Sequence, residues 1–487
     1  MVRSVVRLPD GFATGRSFLA PRLNQLVVGE TARASPATLQ RMRIAVIGCG
    51  YLGAVHAACM AEIGHDVVGL DVDEDRVSRL ARGEAPFHEP GFPEILARGV
   101  TSGRLGFTTD PGRLADADLV FIGVGTPQLP GRLGADLSQV DAAVDTIVEH
   151  LTPRPGGPVL VAGKSTVPVG TAQRLADRLE ASGKNFLLAW NPEFLREGHA
   201  VADTLHPDRI VYGLPEDRAA GERARAILDA CYAPMLAEDT PLVVANLPTA
   251  ELVKVAANAF LATKISFINA MAELCDATGG DVTRLAEAIG HDDRIGGKFL
   301  QAGIGFGGGC LPKDLRAFMA RAGELGIDQA LTFLREVDAI NLRRRDHAVT
   351  LTEKAVSGRL AGRKVAVLGI TFKPDTDDLR DSPALDITSR LWARGADVRV
   401  VDPAAGTELR RRQPEMRVCD TVEEALTGVD AVLLLTPWKE FLGLDPVELR
   451  RIVASPAIID GRNVLDPKVW QESGWRYYGM GRGVSIW

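Results

Sequence analysis

The sequence is poor in aromatic residues and has no surplus of basic charge. Of its 487 residues 6% are aromatic, and 56 basic against 63 acidic residues give a net charge of −7. The low aromatic content argues against an aromatic-rich β-sandwich and favours an α/β fold with cores of Ala, Val, Leu and Ile. Because a nucleic-acid binder normally carries a basic surplus, we expect no nucleic-acid partner.

Long apolar runs and paired cysteines are also missing. The longest apolar runs, such as residues 119–124 and 431–435, are far shorter than the roughly 18 residues of a membrane helix. We therefore expect no membrane partner. The six cysteines lie far apart and form no C-x-x-C pair, which argues against a disulfide framework or a thiolate metal site. The sequence predicts a cytoplasmic location, no metal, and chemistry at a single thiol.

The order of the apolar segments predicts several domains. Residues 1–41 lack a sustained period and are interpreted as a flexible N-terminal extension, with a misassigned start as the alternative. Residues 42–245 and 346–487 each alternate predicted strands and helices, whereas residues 246–345 are predicted to be helical. The expected fold is α/β, with two Rossmann-like doubly wound domains joined by a central α-helical core that contains one long helix.

Three glycines, Gly48, Gly50 and Gly53, form a G-x-G-x-x-G motif between a predicted strand and a predicted helix. In a dinucleotide fold they make the turn, admit a pyrophosphate and let helix and strand pack closely. Asp71 closes the next predicted strand, 18 residues after Gly53. A carboxylate there would bind the ribose hydroxyls and repel a 2′-phosphate, so the motif predicts NAD rather than NADP.

Glycine is concentrated again in residues 303–309, where five of seven residues are glycine. Because glycine costs folding entropy, this loop indicates a backbone that closely approaches a ligand. Cys310 follows directly, and Lys313, Asp314 and a predicted helix start come next. A nearby cation and a helix start should favour the thiolate. Cys310 is therefore predicted to be reactive, a buried inert thiol being the alternative and the expectation for the other cysteines.

Charged side chains interrupt two further segments. Lys254 and Asn258 share one face of the predicted long helix, where the lysine could stabilise an oxyanion. Glu251 continues this stripe, so a solvated surface is an equal alternative. Glu193 and Glu197 follow a predicted strand, and either could serve as a general base toward water. A surface ion-pair cluster is the alternative for these two carboxylates.

Taken in order, these segments resemble the UDP-glucose 6-dehydrogenase family. The resemblance covers residues 42 to about 463 and rests on the motifs GCGYLG, GTP, STVPVGT, NPEFLREG, AELVKVAANAFLATKISFINA, GIGFGGGCLPKD and TFKPDTDDLRDSPAL. It implies oxidation of the C6 alcohol of UDP-glucose to UDP-glucuronate with two NAD and one water. It also implies a thiohemiacetal and then a thioester on Cys310, which remains electrophilic enough for water to hydrolyse.

The resemblance assigns NAD to residues 42–245, dimerisation to residues 246–345 and the UDP-sugar to residues 346–487. It implies catalytic roles for Cys310, Lys254, Asn258, Asp314, Thr166 and Glu193. It implies NAD contacts for Gly48, Gly50, Tyr51, Leu52, Gly53, Asp71, Arg76, Thr126, Thr166, Glu197, Lys313 and Arg380. It implies substrate contacts for Glu193, Phe194, Leu195, Arg196, Glu197, Lys254, Asn258, Arg294, Phe299, Leu300, Gln301, Ala302, Gly303, Gly307, Lys373 and Arg462.

By the same resemblance, Lys254 and Asn258 would stabilise the oxyanion, and Glu193 would assist thioester hydrolysis. Thr166 and Asp314 would hold the catalytic water.

The resemblance also implies an oligomer and leaves other substrates open. Arg294 matches a residue that reaches the neighbouring subunit in the family, so a homodimer or an assembly of dimers is implied. The same chemistry on GDP-mannose or a UDP-N-acetylhexosamine is one alternative. A single-step NAD-dependent hydroxyacid dehydrogenase or a non-catalytic NAD sensor is an alternative of another class, and neither would need the thiol of Cys310.

Overall fold

The computed structural model describes residues 40–153 and 157–483. The flexible extension expected at residues 1–41 therefore lies, except for its last two residues, outside the described part. The strands are β1 (Arg43–Ile47), β2 (Asp66–Leu70), β3 (Leu105–Thr108), β4 (Leu119–Ile122), β5 (Val159–Gly163), β6 (Phe186–Trp190), β7 (Ile210–Leu214), β8 (Leu242–Asn246), β9 (Lys364–Leu368), β10 (Asp397–Val401), β11 (Arg417–Val418), β12 (Ala431–Leu434), β13 (Ala457–Asp460) and β14 (Arg476–Gly479).

The α-helices of the same residues are α1 (Tyr51–Glu62), α2 (Glu74–Ala81), α3 (Phe92–Thr101), α4 (Ser138–His150), α5 (Thr171–Ala181), α6 (Ala200–Leu205), α7 (Arg218–Cys231), α8 (Ala233–Ala237), α9 (Leu247–Thr278), α10 (Val282–Gly290), α11 (Leu311–Glu324), α12 (Thr332–Ala355), α13 (Pro383–Ala393), α14 (Gly406–Arg412), α15 (Val422–Leu426), α16 (Lys439–Leu442), α17 (Pro446–Arg450) and α18 (Pro467–Glu472).

The first sheet has the strand order β3-β2-β1-β4-β5-β6-β7-β8 and is parallel except where β6 meets β7. Alternate residues of β1 face two cores: Ile44 and Val46 pack with α1, whereas Ala45 and Ile47 pack with α4 and α5. Helices on both faces explain why such strands are apolar throughout. The strand order reverses between β1 and β4, which opens a crevice at their carboxyl ends.

The second sheet has the order β11-β10-β9-β12-β13-β14, and its strand pairs are parallel. Val365 and Val367 of β9 pack with α12 and α13, and Ala366 and Leu368 face a separate core. The predicted pair of Rossmann-like domains is therefore confirmed. The structure adds the short strands β3, β8, β11 and β14, which the sequence analysis did not predict.

A helical core lies between the sheets along the chain. It is formed by α9, α10, α11 and α12, and α9 runs without a break for 32 residues. The buried Ser266 hydroxyl donates to the Val337 carbonyl oxygen (2.7 Å), which joins α9 to α12. The helix α12 ends at Ala355, beyond the expected boundary at residue 345, and β8 crosses the expected boundary at residue 245.

By length and composition α9 could cross a membrane, since an 18-residue window has a mean hydropathy of 1.3. The sequence expectation, based on short apolar runs, missed this property. Part of that apolar surface packs against α11 and α12 through Ala259, Ala262, Leu315 and Leu334. We therefore interpret α9 as a core helix.

One glycine of the first sheet is required by packing. Gly163 ends β5 beside Trp190 of β6, and a Cβ at this glycine would lie 2.1 Å from the Trp190 ring. Because Trp190 is fully buried, its ring cannot move aside. We expect Gly163→Ala to lower the free energy of unfolding by about 1–3 kcal/mol through overpacking, measured as a lower midpoint of thermal unfolding.

Gly106→Ala is the matched control, because Gly106 also lies in a strand and its Cβ would meet open space among the described residues. We expect this variant to unfold at the wild-type temperature. Equal midpoints for the two variants would contradict the overpacking at Gly163.

Candidate active site

The predicted glycine turn forms a cradle at the start of α1. Gly48 has φ +91°, and a Cβ on Gly53 would lie 1.8 Å from the Gly48 carbonyl oxygen, so both positions require glycine. A Cβ on Gly50 would point into open space within the described residues. The helix α1 begins immediately afterwards, at Tyr51. This glycine cradle (residues 48–53) leaves room for a phosphate against the first-turn N–H groups of the helix.

Asp71 follows β2 and lies beside the glycine cradle. Its Oδ2 accepts the Cys49 backbone N–H (2.7 Å), and its Oδ1 accepts from Arg76 Nη1 (3.1 Å). The carboxylate is almost buried and is therefore held rigidly at the carboxyl end of its strand. This is the position that the sequence predicted for the ribose-binding acid.

The glycine-rich loop at residues 303–309 packs tightly against other parts of the chain. A Cβ on Gly303 would lie 2.6 Å from the Gly461 carbonyl oxygen, and one on Gly307 would lie 2.2 Å from the Asp381 carbonyl oxygen. A Cβ on Gly309 would lie 2.3 Å from the Arg380 guanidinium carbon. The glycines thus leave room for backbone and side chains of the second domain to pack closely. This packing is a second reason for glycine in the loop, besides the predicted close approach of a ligand.

Cys310 is the residue that precedes α11, and it is exposed, whereas the other five cysteines are buried thiols as predicted. Although solvent reaches Cys310, the many protein atoms around the cleft desolvate it. This desolvation and the Asp314 carboxylate raise the pKa of the Cys310 thiol to about 12, while Lys254 and Lys313 act in the opposite direction. The neighbouring cations favour the thiolate as expected, but desolvation and the nearby carboxylates outweigh them.

Lys254 of α9 lies in a buried ion pair. Its Nζ is 2.9 Å from Glu193 Oε1, and both side chains are almost fully enclosed. Burial lowers the pKa of Lys254, but Glu193, Cys310 and Asp314 outweigh it and raise the pKa above its ordinary value. Lys254 is thus a fixed cation close to the thiol. The other carboxylate oxygen of Glu193, Oε2, accepts the Leu195 backbone N–H (2.6 Å).

The alternative of a solvated stripe on α9 is wrong. Glu251 is 2% exposed, and it accepts backbone N–H groups from Gly170 (2.7 Å) and Ala172 (2.6 Å) at the start of α5. The carboxylate therefore caps a helix of the first domain and fixes α9 against it.

Asp314 collects the remaining predicted catalytic groups. It accepts from Asn258 Nδ2 (2.7 Å) and from Lys313 Nζ (2.6 Å). Beside it, the Thr126 hydroxyl donates to the Thr166 carbonyl oxygen (2.8 Å). A cleft of about 410 Å³ is lined by Thr126, Thr166, Lys313 and Asp314, among others. The structure thus brings these residues together from the first domain and the helical core.

Residues 193–198 form a loop after β6, called here the carboxylate loop, and the second domain contacts it. Glu197 pairs with Arg380 Nη2 (2.9 Å), and Lys373 Nζ donates to the Glu197 carbonyl oxygen. Burial and the Asp378 carboxylate raise the pKa of Glu197 to about 7, against Arg380 and Lys373, which lower it. A surface ion-pair cluster is thereby excluded for Glu197, because the group joins two domains.

Some predicted substrate residues lie apart from this cleft. The Arg294 side chain is 89% exposed and pairs with Asp292 (2.6 Å). Arg196 pairs with Asp203 on the surface, and Phe299 has φ +65° and is partly exposed. Arg462 donates to carbonyl oxygens of three other loops, at Leu435, Gly305 and Phe372. Substrate contacts by these residues stay predictions.

Five more of the predicted binding residues either line a second cleft or are buried. The structure places Leu52 and Phe194 beside a second cleft of about 590 Å³, together with Leu195, and it buries Leu300 and Ala302 against α9 and α10.

Two buried charged residues near the site were missed. Lys164 Nζ donates to Asn191 Oδ1 (2.9 Å) at the start of the segment that leads into the carboxylate loop, and burial lowers its pKa to about 8. Glu89 accepts backbone N–H groups from Gly198 and Ala200. A polar residue directly after the apolar strand β5 was an available signal for Lys164. Glu89 gives no such local signal, because its partners are remote in sequence.

A dinucleotide cradle, together with a thiol close to lysines and carboxylates, is typical of a nucleotide-dependent oxidoreductase. Comparison with known proteins specifies it further. The chain matches the UDP-glucose/GDP-mannose dehydrogenase family in three parts: the NAD binding domain over residues 42–236, the central domain over residues 248–343 and the UDP binding domain over residues 366–467. The chain belongs to this family, and its cofactor is NAD.

Individual relatives agree with this family. The chain is 43% identical to UDP-glucose 6-dehydrogenase of Pseudomonas aeruginosa over 91% of its length and 98% of that protein. It is 41% identical to UDP-glucose 6-dehydrogenase TuaD of Bacillus subtilis, over 90% of this chain and 93% of the relative. A UDP-glucose dehydrogenase structure from Pyrobaculum islandicum superimposes with a TM-score of 0.83 and 39% identity, covering 92% of this chain and 99% of that one.

The charges around Cys310 predict its reactivity. With its thiol pKa raised to about 12, we expect the iodoacetamide alkylation rate to rise about tenfold per pH unit from pH 7 to 10, without a plateau near the ordinary thiol pKa. The Asp314 charge raises this pKa, so Asp314→Asn should alkylate several-fold faster. Lys313 lowers it, so Lys313→Gln should alkylate more slowly.

Mass-spectrometric quantification of the labelled Cys310 peptide measures these rates, with Cys310→Ala as the background. A rate plateau below pH 9, or a slower Asp314→Asn variant, would contradict the electrostatic assignment.

Proposed function

We propose that the protein oxidises the C6 alcohol of UDP-glucose to the carboxylate of UDP-glucuronate, with two NAD and one water. The observation that carries this proposal is the exposed Cys310 thiol beside the fixed cation Lys254 and the acid Asp314. A single-step alcohol dehydrogenase has no use for a thiol in this place. A thiol lets one site perform two oxidations, because the intermediate aldehyde can stay covalently attached.

The residues of the first domain fit the cofactor. Gly50 leaves open space where a pyrophosphate would bind, the start of α1 offers N–H groups, and Asp71 is fixed at the ribose position. Arg76 pairs with Asp71 and so is not aligned to attract a 2′-phosphate. NAD held by these residues would supply the hydride acceptor for each oxidation.

We assign the proton and acyl chemistry to residues around Cys310. In the first oxidation C6 loses a hydride and its hydroxyl loses a proton to a carboxylate of the site, while Lys254 and Asn258 stabilise the developing alkoxide. The Cys310 thiol then adds to the aldehyde: sulfur bonds to carbon and the thiol proton passes to the oxygen, which gives a thiohemiacetal. The second oxidation removes a hydride from this carbon and the proton from its hydroxyl, and leaves a thioester. Water held by Asp314 attacks this thioester with assistance from Glu193, which releases the carboxylate and restores the thiol.

The second domain supports a UDP-sugar as the substrate. The family's UDP binding domain matches this part of the chain, and Lys373 and Arg380 lie where it contacts the carboxylate loop. Lysine serves as a point charge toward a diphosphate. UDP-glucose is proposed over GDP-mannose or a UDP-N-acetylhexosamine because the relatives described above act, by their names, on UDP-glucose.

Stoichiometry tests the mechanism. We expect wild-type protein to produce two NADH per UDP-glucose consumed, measured by absorbance and by chromatography of the sugar nucleotides. GDP-mannose and UDP-N-acetylglucosamine serve as comparison substrates. Cys310→Ala should lose the overall reaction by at least about 10³-fold, in the range seen when a nucleophile is removed. Cys310→Ser should stall at or before the second oxidation, because the alcohol is a weaker nucleophile.

Cys275→Ser is the control, because Cys275 is a buried thiol outside the cleft. This variant should still produce two NADH per UDP-glucose. A ratio of one NADH per sugar in the wild type, or undiminished turnover by Cys310→Ala, would contradict the proposed mechanism.

We propose a cytoplasmic location, because the six cysteines are free thiols.

We also propose a homodimer, because α9 carries an exposed apolar stripe. Phe260, Phe267 and Leu274 are 65%, 48% and 57% exposed, and they recur every seven residues. Residues at this spacing lie along one face of a helix. Contact with a second copy would cover them. The exposed Arg294 side chain would exchange its pair with Asp292 for the partner's substrate.

Charge on the stripe should prevent association. We expect Phe260→Asp with Phe267→Asp to halve the mass measured by light scattering after gel filtration, because each carboxylate would be desolvated in the interface. Leu442→Asp is the control, since Leu442 is comparably exposed on α16 of the second domain. A wild-type monomer, or a dimer that survives both substitutions, would contradict the stripe as an interface.

A further inference from the structure

Glu89 is a buried carboxylate, 2% exposed, in the loop between α2 and α3. Its Oε2 accepts the Gly198 backbone N–H (2.6 Å) and the Tyr51 hydroxyl, and its Oε1 accepts the Ala200 backbone N–H (2.7 Å). All these groups are donors, so a carboxylate, which only accepts, matches them completely.

The donors belong to two segments that the proposed reaction must bring together. Tyr51 is part of the glycine cradle and begins α1. Gly198 ends the carboxylate loop, and α6 begins two residues later, at Ala200. Glu89 therefore ties the carboxylate loop to the cradle, although it belongs to neither.

Gly198 is constrained from the other side as well. It has φ +80°, and a Cβ there would lie 2.9 Å from the Asp375 carbonyl oxygen of the second domain. Its N–H also lies 2.9 Å from the Tyr51 hydroxyl oxygen. Burial and the hydrogen bond to Glu89 raise the pKa of Tyr51 above its ordinary value, so the hydroxyl keeps its proton and donates.

We propose that Glu89 is a positioning residue, which sets the carboxylate loop at the distance from the glycine cradle that hydride transfer requires. The inference rests on the proposed function and deepens it, because Glu193 and Glu197 belong to that loop. A shift of about 1 Å between reacting groups can reduce a rate about 10²-fold. In Glu89→Gln, an amide N–H would face backbone N–H donors and would displace the loop.

The test measures kcat, both KM values and the unfolding temperature of the full-length protein for Glu89→Gln, Tyr51→Phe and the double variant, with UDP-glucose and NAD. We expect Glu89→Gln to lower kcat about 10- to 100-fold and to raise both KM values. Tyr51→Phe keeps the ring and should lower kcat less. The double variant should match Glu89→Gln within about twofold, because residues that act through one another are not additive.

Tyr477→Phe is the matched control. The Tyr477 hydroxyl, also buried, donates to Asp460 Oδ2 (2.8 Å) in the second domain, so its loss costs a similar hydrogen bond away from the carboxylate loop. We expect a lower unfolding temperature with kcat and KM within about twofold of wild type.

The proposal is overturned if Glu89→Gln behaves like this control, or if the effects of Glu89→Gln and Tyr51→Phe multiply. If Glu89→Gln yields no folded protein, Tyr51→Phe decides alone: unchanged kcat and KM overturn the proposal, and a lowered kcat at unchanged unfolding temperature supports it. Wild-type protein distinguishes this failure from failure of the proposed function, since it should still form two NADH per sugar when only the role of Glu89 is wrong.

Discussion

The buried ion pair of Lys254 and Glu193 is the contact on which the site depends. Taking two charges out of water is costly, and removal of one partner from such a pair typically destabilises a protein by about 3–5 kcal/mol. The pair joins the long central helix to the carboxylate loop of the first domain. At the far end of that loop, Glu197 meets Arg380 of the second domain. The carboxylate loop thus forms ion pairs with both the helical core and the second domain.

The same ion pair limits how far Lys254 lowers the pKa of the Cys310 thiol. Desolvation and Asp314 raise the pKa of Cys310, and the two nearby lysines offset only part of this increase. Lys254 is already paired with Glu193, so part of its positive charge is compensated there. An exposed cysteine held as the thiol resists adventitious alkylation. In the proposed reaction the thiol proton would leave when the sulfur attacks an aldehyde, and the nearby carboxylates would then transfer this proton as well as activate water.

Sequence reasoning correctly predicted the features that depend on residues close together in the chain. The strand patterns, the glycine cradle and Asp71 depend on residues within one βαβ unit, and the structure has them as predicted. It failed for features that depend on contacts between residues far apart in the chain. Strand β8 was missed although residues 242–245 are all apolar, and it leaves much of its surface exposed. Glu251 looked solvated because its partners at α5 are about 80 positions away, and Glu89 meets Gly198 across 109 positions.

The glycine content of residues 303–309 correctly indicated a tightly approached loop, but the approach of a ligand does not account for all of these glycines. Gly303 and Gly307 lie against carbonyl oxygens of Gly461 and Asp381, both in the second domain. Any side chain at these positions would push that domain away from Cys310. Since Arg380 packs on Gly309 and also pairs with Glu197, the missing side chains bring the second domain close to the carboxylate loop and to the thiol at once. The glycines therefore determine how near the UDP binding domain lies to Cys310, whether or not a ligand touches them.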